Sequence, residues 1–520
     1  METSILGAGE RMSLKVSKAI EILKSHDLLV SDSVSDENLE VTNISYNSRE
    51  DQANGIFFCK GNQFKAEYLD QAIKNGAKIY VAEKEYSTDI DRLIVKDASK
   101  ALALLSAEFY GNPQNDLFIV AFTGTKGKTT TSYFTYDILN SAYPKKVALF
   151  STVDRIVGPN PSDEFKSDLT TPESMELFHD MRRAVDNGMK YLVMEVSSQA
   201  YKKNRVYGLK FDIGGFLNIT PDHIGPNEHP TYADYLNCKK QLMINSKVNI
   251  INRQTNDYDT VLAAAKETSD DKDIYKFAKD EVGDTDFSIR NKESNLNDSV
   301  FTYTAESDKA EDLQDHGEYT YELGLVGDFN ELNAGAAITA AKIMGIDNEV
   351  IAESLKKAFV PGRMEHINTK NHGTIFVDYA HNYASMNALL SFIKREYPES
   401  KVKVVVGSPG DKGVSRRAGF ARVLTELADS AILTTDDPGF EDPAKICKEI
   451  DDQIDHEKVQ VKTVIDRQEA IREMITSSGD GDIIVLAGKG NDPYQKTKGV
   501  DVPYPSDPVV AKKILKDIEG

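Results

Sequence analysis

The sequence is short of cysteine, of long apolar runs and of positive charge. Its three cysteines, Cys59, Cys238 and Cys447, are odd in number and far apart. That excludes a disulfide framework and any Cys-x-x-Cys metal site, and fits a reducing, cytoplasmic location. No stretch approaches the roughly 18 consecutive apolar residues a membrane span needs. The opening METSILGAGERMSLKV has no apolar core, so no signal peptide is expected. Met12 is an alternative start that would make residues 1–11 an extension. The net charge is −21, so nucleic acid is not expected as a partner, since phosphate binding needs clustered Lys and Arg. A local basic groove remains compatible with that total.

What is present is a globular composition, 40% apolar and 28% charged over 520 residues. That length exceeds one ordinary core and suggests about three domains. In the first, residues 1–113, Val16, Ala19, Ile20 and Leu23 have helical spacing, and 55–59 and 77–82 read as strands. In the second, 114–361, the apolar run 117–122 ends in Thr-Gly-Thr, and a helix is expected from Lys128 to about Leu139. Buried strand, glycine turn and helix together open a parallel α/β sheet. Further buried strands are expected at 191–196, 212–219 and 248–252. The Asp- and Ser-rich stretch 268–323 reads as a small antiparallel excursion, with short segments at 300–304 and 320–323, closed by a helix over 330–344. Pro361-Gly362 marks a hinge. Beyond it, 362–520 alternates strands at 374–378, 402–406, 431–434 and 482–486 with helices, a second open α/β sheet whose strand C-termini are the usual ligand edge.

The chemistry starts at Gly124-Thr125-Lys126-Gly127-Lys128-Thr129-Thr130. Gly124 and Gly127 let backbone N–H groups turn in around phosphate oxygens, Lys128 can reach the terminal phosphates, and the Thr129 hydroxyl can hold Mg²⁺. The strict pattern has glycine where Phe122 stands. A plain strand–turn–helix is the bland alternative, but nothing structural demands Gly-Lys-Thr-Thr at a helix start.

This loop resembles the Gly-Thr-Asn-Gly-Lys-Thr-Thr loop of the Mur ligases, the ATP-dependent enzymes that assemble the peptidoglycan stem peptide. Thr170-Thr171-Pro172, Met194-Glu-Val-Ser-Ser198, Asn218 through Asp222-His223, Gly327-x-Phe-Asn-x-x-Asn333, Gly362-Arg-Met-Glu365, Asp378-Tyr-Ala-His381 and Ala487-Gly-Lys-Gly490 resemble further family motifs, in family order. Together they are similar to the member that adds the third residue. The resemblance implies three α/β domains: an N-terminal UDP-substrate domain, a central P-loop ATPase-like parallel sheet and a C-terminal Rossmann-like domain; from the domain count and the Pro-Gly pair, the third is expected to swing about Pro361-Gly362. It implies a monomer whose substrates are ATP, UDP-MurNAc-L-Ala-D-Glu and an amino acid. ATP phosphorylates the D-glutamate carboxylate, and the incoming amine displaces phosphate. Two anions must meet, so Mg²⁺ and Lys128 are the expected counter-charges.

By the same resemblance, Glu195, at the end of an apolar segment, is the first metal carboxylate; the residues alone also allow a solvated strand-end acid. Gln199 stands where the family usually has histidine. Lys239 falls among Tyr235, Leu236, Leu242 and Met243 on one helical stripe. Sequence alone favours a snorkelling lysine there. The resemblance reverses that, because Lys239 matches the family lysine that CO₂ converts to a carbamate able to bind Mg²⁺. Asn333, Arg363, Asp378 and His381 would surround the nucleotide, although His381 alone reads equally as a satisfied loop histidine. Thr170, Thr171, Ser197 and Arg205 would hold the UDP-substrate, and Ser48-Arg49 resembles a segment near the uridine.

The acceptor is read from Thr435-Asp-Asp-Pro-Gly-Phe-Glu-Asp442. Family enzymes adding meso-diaminopimelate have Asp-Asn-Pro-Arg, whose guanidinium pairs with the second carboxylate. Here Gly439 stands in place of the arginine, and Asn491-Asp492 in place of His-Glu. Asp436, Asp437, Pro438, Gly439 and Asp492 would then shape a pocket for a terminal ammonium, and Arg417, or its neighbour Arg416, would hold the α-carboxylate. Asp436-Asp437-Pro438 also reads as a helix N-cap followed by a turn. L-lysine is the expected acceptor. L-ornithine is one methylene shorter, a difference worth about 1–3 kcal/mol in a pocket. A folylpolyglutamate synthetase-like ligase shares the loop but not the Thr-Thr-Pro or Asp-Asp-Pro-Gly segments. A GTPase is disfavoured because no Asn-Lys-x-Asp segment is present.

Overall fold

A strand that meets another strand on each side and a helix on each face can be apolar at every position, and Ile119, Val120, Ala121 and Phe122 are all fully buried. The computed structural model describes residues 12–519 apart from 62–63, 226–227, 281, 295–297, 315–316, 326 and 412–413. The extension read before Met12 lies outside the described residues. The architecture is α/β, in two compact units.

The first unit runs from the N-terminus to Ser288 and takes back 304–317 and 335–351. Its first sheet has the order Leu29–Ser33, Asp91–Val95, Ala77–Ala82, Gly55–Phe58, Asn43–Ser45. All neighbours are parallel except the first pair. The helices Val16–Ser25 and Ala98–Phe109 bury their apolar stripes on one face. Ala66–Lys74 lies with the core of the other face.

The larger sheet of this unit has the order Glu164–Lys166, Asp154–Ile156, Val147–Phe150, Tyr191–Glu195, Phe118–Thr123, Phe211–Phe216, Ser246–Asn252, Ile274–Lys279. It is parallel from Val147–Phe150 onward. Phe118–Thr123 lies inside it, with Glu195 in register with Phe122 and Phe216 with Thr123. The three segments that follow these strands therefore share one edge, where ligands of open α/β sheets bind. The expected strands at 191–196, 212–219 and 248–252 are all present to within a few residues, and the helix from Lys128 extends to Ala142.

The second unit comprises 289–303, 318–334 and 352–520. Strands Phe287–Ser294, Ser299–Ala305 and Glu318–Leu323 lie side by side where the short alternating segments were expected. Its six-stranded sheet has the order Glu365–Asn368, Thr374–Asp378, Ile483–Ala487, Val402–Val406, Ser430–Leu433, Gln460–Thr463. It is parallel after the first, antiparallel pair. The last strand of the chain's alternation, Ile483–Ala487, inserts between Thr374–Asp378 and Val402–Val406. That brings Asp378, Ala487, Val406 and Leu433 to one edge. No helix among the described residues is long and apolar enough to cross a membrane.

Candidate functional site

The glycine-rich turn leaves Phe118–Thr123 and enters the helix Lys128–Ala142. Phe122 belongs to the strand, and its ring lies against the neighbouring strand at Gly215, where a Cβ would come within 2.4 Å of it. The residue that breaks the strict motif is therefore core, and the turn begins only at Gly124. Asn218, at the end of the adjacent strand, clamps the turn. Its Oδ1 accepts from Lys126 N at 2.9 Å and its Nδ2 donates to Lys126 O at 3.0 Å. The Thr125 hydroxyl donates to Thr220 O at 3.2 Å and meets the Tyr235 hydroxyl at 3.0 Å. Thr129 and Thr130 are buried in the first turn of the helix.

Lys128 Nζ folds back to donate to Gly124 O at 2.9 Å, and Lys239 Nζ donates to the same carbonyl at 2.7 Å. Two amines thus converge on one backbone oxygen of the loop. The helix Tyr232–Ile244 buries Tyr235, Leu236, Lys239, Leu242 and Met243. Lys239 is 2% exposed, so the snorkelling alternative is ruled out: the amine points inward, 4.8 Å above the Tyr235 ring. Burial, reinforced by the Lys128 charge, holds its ammonium pKa far below the ordinary lysine range.

Glu195 ends Tyr191–Glu195 and is fully buried rather than solvated. Its carboxylate accepts from Thr152 N at 2.6 Å and Thr152 Oγ1 at 2.9 Å. Thr152 Oγ1 also lies within hydrogen-bond distance of Thr170 Oγ1, at 3.1 Å, and Thr171 Oγ1 donates to Glu195 O at 3.0 Å. Ser197 N donates to Thr171 Oγ1 at 3.0 Å, and its own hydroxyl caps the helix Ser198–Lys202. Arg205 reaches Thr171 O at 3.2 Å and Glu173 at 2.7 Å. Thr170, Thr171, Glu195, Ser197 and Arg205 therefore form one connected group. Gln199 Nε2 is buried without a partner among the described residues.

Ser48 sits in a turn of the N-terminal part, its carbonyl accepting from Asn75. The link from that part to Arg205 runs through Lys60, which ion-pairs with Glu173 at 2.6 Å and lies over the Tyr46 ring. Burial works to raise the Glu173 carboxyl, but Lys60 and Arg205 hold it below the usual range. No sequence pattern marks Lys60 or Glu173, since neither lies in a motif of its own. His229 was also missed: it is fully buried between Asp234 and Ser198.

In the second unit, Asp378 accepts from Met364 N at 2.9 Å through one oxygen and from Ala380 N at 2.7 Å through the other. The Arg363 guanidinium lies 5.0 Å above the Tyr379 ring, with its Nε buried and without a partner among the described residues. His381 Nδ1 donates to Tyr379 O at 2.6 Å. Arg363, Asp378 and His381 are thus neighbours. Asn333, on the helix Asp328–Ile343, is buried and donates to Asn330.

The loop after Ser430–Leu433 carries the acceptor candidates. Asp442, not Asp436 or Asp437, caps the helix Pro443–Asp451, which corrects the N-cap reading: the helix starts at Pro443, beyond the turn. Asp437 instead accepts from Lys496 N and from Lys489 Nζ at 2.6 Å. Lys489, fully buried, also lies 3.4 Å from Asp492 and 3.8 Å from Asp436. Three carboxylates face one ammonium, so the cluster keeps an excess of negative charge. Burial pushes Asp436 up, against the pull of Lys489. Arg417 is buried, pairing with Glu441 at 2.9 Å and with Glu449. Pro438 and Gly439 form the turn, and a Cβ on Gly439 would lie 2.1 Å from Asp411 Oδ2.

A model of the Mur ligase middle domain matches residues 122–341, and one of the Mur ligase glutamate ligase domain matches 362–490. The chain is 53% identical over 518 residues to a UDP-N-acetylmuramyl-tripeptide synthetase of Lacticaseibacillus paracasei, covering 98% of this chain and 100% of that one. It is 47% identical over 478 residues to the UDP-N-acetylmuramoyl-L-alanyl-D-glutamate–L-lysine ligase of Enterococcus faecalis, covering 92% of each. Among solved structures, a UDP-N-acetylmuramoyl-L-alanyl-D-glutamate–2,6-diaminopimelate ligase shares the fold with a TM-score of 0.66 at 24% identity, covering 96% of this chain and 99% of that one.

Proposed function

This chain belongs to the Mur ligase family, and from that footing we propose that it joins L-lysine to the γ-carboxylate of D-glutamate in UDP-MurNAc-L-Ala-D-Glu, a step of peptidoglycan precursor synthesis. It is an ATP-dependent acid–amino-acid ligase. The observation that carries the mechanistic reading is the buried Lys239 amine beside Lys128 on the phosphate loop. Burial disfavours the Lys239 ammonium, and the deprotonated amine has the free electron pair that attack on CO₂ requires. The N–C bond forms, a C=O electron pair moves onto oxygen and the nitrogen proton leaves to solvent, so a cation position becomes an anionic carbamate.

Thr129, Glu195 and that carbamate offer only oxygen donors, the set Mg²⁺ prefers. Thr152 already orients the Glu195 carboxylate. When bound, Mg²⁺ neutralises the phosphate and carboxylate charges that have to approach each other. The ATP phosphates are assigned to Gly124 through Thr130, and the rest of the nucleotide to Asn333, Arg363, Asp378 and His381. The Arg363 Nε, buried without a partner among the described residues, is a donor that a nucleotide oxygen would satisfy. Thr170, Thr171, Ser197, Arg205 and Ser48 are assigned to the UDP-substrate. The substrate carboxylate attacks the γ-phosphorus, ADP leaves, the acceptor's α-amine attacks the acyl carbon, and phosphate departs as the amide forms and the amine loses a proton.

For the acceptor, Arg417 is assigned to the α-carboxylate and Asp436, Asp437 and Asp492, about the Pro438-Gly439 turn, to the terminal ammonium. The excess negative charge around Lys489 supports a cationic side chain, and the closeness of Asp411 to Gly439 supports the absence of an arginine there. We also assign three domains, 1–113, 114–361 and 362–520, and a monomer working in the cytoplasm. The three free cysteines support a reducing compartment.

One experiment tests the reading: phosphate release with ATP, UDP-MurNAc-L-Ala-D-Glu and, separately, lysine, ornithine and diaminopimelate. Lysine-dependent turnover is expected, lost in Lys239→Ala and partly restored by short carboxylates. No turnover with any amino acid overturns the ligase reading, ornithine or diaminopimelate preference overturns the pocket, and full activity of the variant overturns the carbamate.

A further inference from the structure

The helix that carries Lys239 and the strand end that carries Glu195 are separate pieces of chain, and their spacing has to be set by something. His229 lies in the loop before that helix and is fully buried. Its backbone is tied down, with N–H donating to His223 O and its carbonyl accepting from Gly225 N, each at 2.9 Å. Its ring joins two elements. Nδ1 is 2.6 Å from Asp234 Oδ2, in the first turn of Tyr232–Ile244, and Nε2 is 2.9 Å from Ser198 Oγ, three residues after Glu195.

The proton positions follow from the partners. A carboxylate only accepts, and Asp234 is held ionised by the Lys202 ammonium 2.7 Å away. Nδ1 therefore carries the hydrogen, which leaves the Nε2 lone pair to accept from the Ser198 hydroxyl. The same ring packs edge-on against Tyr235 at 5.2 Å. Tyr235 in turn supports the Lys239 amine on its face and touches Thr125 with its hydroxyl. Cys238 completes a nitrogen–oxygen–sulfur group with His229 and Asp234 within 4.8 Å. A cation does not fit between Nδ1 and Oδ2 at 2.6 Å, because metal–ligand bonds of about 2.0 Å hold ligand atoms farther apart.

We propose that His229 is a positioning residue for the ligation, a brace that holds the Lys239 helix against the segment following Glu195 and so fixes the distance between the two groups assigned to Mg²⁺. It rests on the ligase reading above. Groups that orient metal ligands commonly change metal affinity by about 10–100-fold when removed.

His229→Asn keeps a donor on the Asp234 side, His229→Gln keeps a group that reaches Ser198, and His229→Ala keeps neither. Binding of a non-hydrolysable ATP analogue is measured by calorimetry across a Mg²⁺ series in bicarbonate buffer, alongside kcat and KM. For His229→Ala the Mg²⁺ half-saturation is expected to rise about tenfold and kcat to fall, with KM for the UDP-substrate unchanged. The Asn and Gln variants should each recover part of the loss. A lowered melting temperature with unchanged Mg²⁺ half-saturation makes His229 merely structural and overturns the proposal. If His229→Ala does not fold, Asp234→Asn and Ser198→Ala remove one partner each, and the same readout decides. Nucleotide binding needs neither acceptor nor UDP-substrate, so a wild type without turnover sinks the ligase reading while the Mg²⁺ comparison still judges His229.

Discussion

At the scale of single residues, the informative positions are those where the local rule is broken. A lysine on an apolar stripe is one. Burial, with the Lys128 charge beside it, pushes its ammonium pKa well below the ordinary lysine range. Gly439 is another. Its φ of +59° lies in the left-handed region, which costs another residue about 1–2 kcal/mol, and Asp411 Oδ2 occupies the space where a side chain would begin. Asp411 is not idle there, because it accepts from Phe440 N at 2.7 Å. Installing the arginine of a diaminopimelate enzyme is therefore not a simple exchange. Gly439→Arg is expected to lower lysine turnover without conferring diaminopimelate turnover, whereas adding Asp411→Ala should relieve the clash. Steady-state rates with both amino acids check this; diaminopimelate turnover by the single variant contradicts it.

At the scale of elements, the strand Phe118–Thr123 shows how packing overrides a motif. A phosphate loop with glycine at position 122 would have a longer turn, but here the strand continues and Phe122 fills the hollow over Gly215. Phe122→Ala is expected to cost about 3–5 kcal/mol, the usual loss for a buried Phe→Ala change. Nucleotide affinity of the folded fraction should be unchanged, because the turn starts at Gly124 and is clamped by Asn218. Denaturant unfolding with parallel nucleotide titration measures both; tighter nucleotide binding without loss of stability would show that the turn, not the core, governs this position.

At the scale of the molecule, sequence reading proposes three domains with breaks near 113 and 361. If these are segments of independent stability, limited proteolysis should cut first in those two regions and leave three resistant fragments. Early cleavage only inside 114–361, by mass spectrometry of the fragments, would count against the partition. The excess of acid over the whole chain does not conflict with anionic substrates. Lys60 and Arg205 meet at Glu173 and Lys128 lies on the glycine-rich turn, and field depends on where charges sit rather than on their sum.

The sequence by itself determined the α/β class and most of the buried strands, because an apolar run between turn residues has few other uses in a charged chain. It also marked the phosphate loop, Glu195 and the Asp437–Gly439 turn, since these are local patterns of residues close in the chain. Only tertiary structure decided what joins residues far apart: Lys239 with Lys128 on Gly124 O, Lys60 with Glu173 and Arg205, Lys489 among three aspartates, and His229 between Asp234 and Ser198. A side chain's burial and its charge state depend on neighbours brought by other strands. The apolar stripe around Lys239 favoured a snorkelling lysine by sequence alone, and the packing of its helix on the phosphate loop instead buries the amine against Gly124 O.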